Sequence, residues 1–138
     1  MAAKKYRRIV VDHMPSDWKL VEREAIVGSD GFCSAKQIIT CKPIVCRHSL
    51  MVFLHECGHI WSDHFSLVKT PRWLEEHEAN QYALKAMRSH SIPILRSTDQ
   101  WWRQALRENI EYANEHGDHV DNEEALKYAY GRNWRAHR

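Results

Sequence analysis

Leu54-His55-Glu56-Cys57-Gly58-His59-Ile60 lies inside a segment, Arg47 to about Phe65, that also carries Leu50, Val52, Phe53 and Trp61. Apolar residues recur around much of its helical circumference, so the segment predicts a central, buried helix. A step of four residues on a helix turns about 400°, which puts His55 and His59 on one face. Two imidazoles so placed can grip one ion, and zinc favours imidazole ligands with a position left for water. Glu56 follows the first histidine and is placed to act as a general base toward that water.

The helical pattern continues outward from this segment. Thr70 and Pro71 mark the start of a second helix that reaches about Ser89 through Trp73, Leu74, Ala79, Ala83, Ala86 and Met87. Ser91 to Ser97, with Pro93, reads as a loop. Ser97 and Gln100 form a capping box for a further helix ended by Gly117, and Asp121 and Glu124 form another for a short helix stopped by Gly131. Toward the N-terminus, Tyr6 to Val11 reads as a strand, and Ser16 caps a helix through Trp18, Val21 and Ala25 to about Val27. Gly28 to Gly31 is a turn, and Phe32 to Cys41 is extended, most strand-like at Ile38, Ile39 and Thr40. The expectation is an α+β fold: a short antiparallel sheet plus about five helices in one domain over residues 1–138. The strand region would cover 1–46, the metal-binding helices 47–90 and the C-terminal helices 97–131.

The 138 residues, 43% hydrophobic and 28% charged, suit one soluble domain with one core. The net charge of +2 does not by itself imply a polyanionic partner. Lys4, Lys5, Arg7 and Arg8 cluster near one end and Arg132, Arg135 and Arg138 near the other, a weak pointer to nucleic acid against the plainer reading of solvated termini. Trp101, Trp102, Tyr112, Tyr128, Tyr130 and Trp134 alternate with arginines and could stack on bases, but at helical spacing they read as core. No apolar run approaches the roughly 20 residues of a membrane span, and the N-terminus lacks the apolar core of a secretory signal. Both point to the cytoplasm, or the host cytoplasm for a phage gene. Cys33, Cys41, Cys46 and Cys57 have no paired spacing, so they read as reduced, packed thiols; a second metal site from the first three is the less favoured option.

A catalytic zinc needs a third protein ligand. His64 is nine residues from His55, about 900° along a continuous helix, and falls on the opposite face. Leu74-Glu75-Glu76-His77-Glu78-Ala79-Asn80 supplies three carboxylates instead. Glu78 lies about 200° from Glu76, so both cannot face one ion, and Glu75 lies about 100° away. By position alone the choice stays open. Glu76-x-Glu78-Ala79-Asn80-x-Tyr82-Ala83, after the histidine pair, resembles the ImmA/IrrE group of small gluzincin metallopeptidases, common in phages and mobile elements. That resemblance covers about Gly31 to Met87. It implies a zincin-like domain holding one zinc ion, with His55, His59 and Glu76 as ligands and Asn80 orienting a zinc-bound histidine.

The resemblance implies a metalloendopeptidase acting on a cytosolic protein, such as a transcriptional regulator. Glu56 would take a proton from the zinc-activated water and pass it to the leaving amine. Tyr82, His90, Tyr112, His116 and His119 are candidates for an oxyanion donor, with none singled out. The substrate backbone would pair along Ala35 to Thr40, provided that strand has a free edge. The competing reading is a metal-stabilised binding protein acting by contact on DNA or a host factor. Glu56 argues against it, because a pure binder needs no base. A nucleic-acid-associated protease of the SprT type is disfavoured by Asp63, where that family has a histidine.

Overall fold

The computed structural model describes residues 2–24, 31–65 and 70–138. Five helices and a three-stranded sheet form a small α+β fold: α1 (Ala2–His13), β1 (Lys19–Glu22), β2 (Gly31–Cys33), β3 (Ile38–Cys41), α2 (Arg47–Trp61), α3 (Arg72–Ser89), α4 (Arg96–Glu115) and α5 (Glu123–Tyr130), closed by a 3-10 turn at Gly131–His137. Among the described residues no helix is long and apolar enough to cross a membrane.

The N-terminal expectations are reversed. Residues 6–11 are helical, and the segment after Ser16 becomes β1 rather than a helix. Tyr6, Ile9 and Val10 are buried, with His13 half-buried, while Lys4, Lys5, Arg7, Arg8 and Val11 are exposed. That spacing of three, one and three is helical, and it outweighs the strand preference of Ile9-Val10-Val11. The expected helix end at 25–27 and most of the turn at 28–31 lie outside the described residues. The sheet is mixed, not antiparallel: its order is β1-β3-β2, with β1 parallel and β2 antiparallel to β3. The central strand is therefore β3, paired on both sides, and residues 35–40 offer no open edge to a substrate. The edges belong to β1 and β2.

Arg7 grips both oxygens of Glu22 at 2.5 and 2.7 Å, and the Ile44 amide donates to the same carboxylate at 2.9 Å. These bonds tie α1 and β1 to the chain entering α2. The Ser49 hydroxyl accepts from the amides of Val45 and Cys46 at 3.1 and 3.2 Å, satisfying groups that open the helix. Leu50, Met51, Phe53, Leu54 and Cys57 of α2 are fully buried, against Ala83, Leu84 and Met87 of α3 and Leu106 and Ile110 of α4. Each of the larger side chains contributes roughly 1.5–3 kcal/mol by leaving water.

Helix ends differ from expectation in four places. α3 starts at Arg72 with Pro71, not Thr70, in the cap position. α4 starts at Arg96 without a side-chain cap, so the Ser97–Gln100 box is not formed. The cap of α5 is Asn122, whose side chain accepts from the Ala125 amide at 2.9 Å, not Asp121. α2 stops at Trp61, before the expected Phe65, and Asp63 turns left-handed at φ 57°.

Candidate metal centre

α2 and α3 pack closely enough to bring their side chains to one point. A Cβ on Gly58 would lie 2.9 Å from the Ala79 backbone and 2.9 Å from Tyr82 Cβ, so only glycine fits against the small Ala79. With the helices at that distance, His55 and His59 from α2 face Glu76 and Asn80 from α3.

His55 Nε2 and His59 Nε2 are 3.0 Å apart. Glu76 Oε2 is 3.0 Å from His55 Nε2, and its Oε1 is 3.6 Å from His59 Nε2. A tetrahedral ion with bonds of about 2.0–2.1 Å spaces its ligand atoms about 3.3 Å apart. The three separations bracket that value, so the trio could hold a metal ion. Burial pulls the His55 imidazolium down, but Glu76, Glu56 and Asn80 outweigh it and the net shift is upward. Burial raises the Glu76 carboxyl, and the bonds from His55 and His59 overcome it, holding the group well below the usual carboxylate range. The two shifts are reciprocal: the carboxylates favour the charged His55 ring, and the imidazoles favour the ionised Glu76.

Asn80 Oδ1 accepts from His55 Nδ1 at 2.8 Å, fixing the proton on the nitrogen that faces away from the trio. Glu56 is buried and lines the same cavity as His55 and Glu76. That cavity, of about 150 Å³, opens between α2, α3 and α4. Its apolar wall is Val52, Trp101, Trp102, Ala105 and Leu106, with Asn109 as the polar group that α4 adds. Trp102 is buried against the His55 ring, centroids 5.3 Å apart, while Trp101 beside it is 56% exposed.

The structure moves His64 from its expected place. The helix does not continue past Trp61, so the opposite-face argument fails. The His64 amide donates to His59 O and the Asp63 amide to Ile60 O, both at 3.0 Å, a helix-ending turn that folds residue 64 back over residue 59. The His64 ring then meets His59 Nδ1, and its side chain is 2% exposed. Glu78, turned away from the trio as expected, meets His64 Nε2 at 3.1 Å. His59, His64 and Glu75 form a second group of donors close enough for an ion.

The five oxyanion candidates do not line the cavity. Tyr82 and His90 both bond His13, Tyr112 and His116 stack on each other, and His119 is exposed. Asn109 and the two tryptophans carry no sequence signal linking them to the histidines. Their spacing along α4 shows a shared face, but not that the face covers α2. The other tentative sites recede as well. Cys41 is buried and Cys46 exposed, and neither joins a donor group among the described residues, while the Cys33 side chain lies outside them. Trp134 is buried with Arg135 and Arg138 over its ring, so these C-terminal cations engage the protein itself.

No family model, curated protein or solved structure matches the chain.

Proposed function

We propose that the chain is a zinc-dependent metalloendopeptidase of the ImmA/IrrE type, cutting a cytosolic protein such as a transcriptional regulator. One observation carries this reading: a buried glutamate, Glu56, lines the same cavity as His55 and Glu76, two members of a convergent His55–His59–Glu76 trio. Zinc held by the trio supplies a Lewis acid and lowers the pKa of the water it binds to about 7. His55, His59 and Glu76 hold the ion, and Asn80 keeps the His55 tautomer that leaves Nε2 free for it. Glu56 accepts the proton of the attacking water and returns it to the amine that leaves. Asn109 is the polar side chain on the far wall and the best-placed partner for the substrate carbonyl or backbone. An apolar cavity of about this volume accepts a benzene ring. The wall of Val52, Trp101, Trp102 and Leu106 thus favours an apolar side chain next to the cleaved bond.

The contact-only alternative gives Glu56 no role beside His55 and Glu76 in the cavity. The test is cleavage of a proteome-derived peptide library by zinc-loaded protein, with products read by mass spectrometry. The wild-type chain should cut beside apolar residues. Glu56→Gln should keep its zinc and lose at least about 100-fold of the rate, as expected for a general base. Undiminished cutting by Glu56→Gln, or none by the wild type, would contradict the proposal.

A further inference from the structure

His64 and Glu78 lie outside the ion-binding trio yet are joined to it by an unbroken chain of bonds. His59 turns Nε2 toward His55 and Glu76. Its other nitrogen, Nδ1, is 2.9 Å from His64 Nδ1, and His64 Nε2 is 3.1 Å from Glu78 Oε2. Only one proton arrangement serves a metal at His59 Nε2. His59 Nδ1–H donates to His64 Nδ1, and His64 Nε2–H donates to Glu78.

We propose that His64, anchored by Glu78, is the positioning residue for the metal ligand His59, doing for it what Asn80 does for His55. This rests on the metal site of the proposed function. Three observations support it independently of one another. The turn at Ser62–Asp63, with Asp63 left-handed, places His64 by backbone bonds alone. Phe32 packs on the His59 ring, centroids 5.5 Å apart, and Phe65 and Trp18 extend that aromatic cover, so water has little access to the imidazole pair. Glu78 points to His64 rather than to the trio, which gives a role to the second glutamate of the Glu76-x-Glu78 pair.

Zinc affinity, measured by competition with a chromophoric chelator, tests the assignment without reference to catalysis. His64→Leu should weaken zinc about 10–100-fold, the usual cost of losing a ligand's outer partner, with one ion still bound per chain. His64→Asn, which offers an acceptor as Asn80 does, should recover most of that loss. Glu78→Gln, at a side chain 41% exposed, should weaken zinc by less than His64→Leu. Wild-type affinity in both His64→Leu and Glu78→Gln would overturn the proposal while leaving the metal site intact. Two ions in the wild type and one in His64→Leu would overturn it in favour of a second ion among His59, His64 and Glu75. A wild-type chain that takes up no zinc would overturn the proposed function along with it.

Discussion

His55 and His59 present the same atom, Nε2, to the same carboxylate, yet each is oriented differently. His55 bonds an amide oxygen one helix away, and His59 bonds a second imidazole brought round by a turn. The four-residue step made the pair legible in the sequence, since helix geometry alone sets both on one face. Position left Glu75, Glu76 and Glu78 open, and the close approach of α3 at Gly58 and Ala79 gives each a different destination. Glu76 reaches both histidines, Glu78 reaches His64, and Glu75 lies with His59 and His64. Removing Glu76 should therefore cost more zinc affinity than the roughly 10–100-fold expected for an outer partner. Glu75→Ala should leave zinc uptake near the wild-type value. Metal analysis of the two purified variants distinguishes them, and equal loss in both would place the third ligand wrongly.

At the scale of elements, the contact of α2 with α3 is the part on which the site depends. Gly58→Ala puts a methyl group 2.9 Å from backbone atoms of Ala79, which cannot move without shifting α3. The expected cost is about 1–3 kcal/mol in urea unfolding, with weaker zinc binding because Glu76 and Asn80 move with the helix. A variant as stable as the wild type would show that the helices pack less tightly than described. α2 and α3 are legible because a buried helix repeats its apolar residues every three or four positions, and α4 and α5 through the polar residues near their starts and the glycines, Gly117 and Gly131, at their ends. α1 was misread because three consecutive β-branched residues masked the same period. The end of α2 was missed because Asp63 takes the left-handed turn that glycine normally marks. Continuing the helix to Phe65 put His64 on the wrong side. The strand order was not readable at all. β1 and β3 pair in parallel across an intervening strand, and pairing between distant segments leaves no local trace.

Across the whole molecule, α1 is held by the burial of Tyr6, Ile9 and Val10 and by hydrogen bonds at His13. Its Nδ1 meets the Tyr82 hydroxyl at 2.7 Å, its Nε2 meets His90 Nε2 at 2.9 Å, and its carbonyl accepts from Trp61 Nε1 at 2.8 Å. The Tyr82 phenol, pushed up to about 12 mainly by burial, keeps its proton. Burial lowers the His13 pKa, the neighbouring His90 lowers it further, and Asp12 opposes them. The unfolded chain thus binds a proton at His13 before the folded chain does. Stability from this group is complete above the unfolded value of about 6.5 and falls as pH drops from there toward the lower folded value. Urea midpoints at about pH 7.5 and about pH 5.5 should fall more for the wild type than for His13→Gln, and equal slopes would contradict this. The central claim, that α2 and α3 meet in order to hold one ion, has a more direct test. Anomalous diffraction at the zinc edge from zinc-loaded crystals should show one peak per chain, bonded to His55 Nε2, His59 Nε2 and a Glu76 oxygen. A peak elsewhere, such as between His59, His64 and Glu75, or no peak at all, would contradict it.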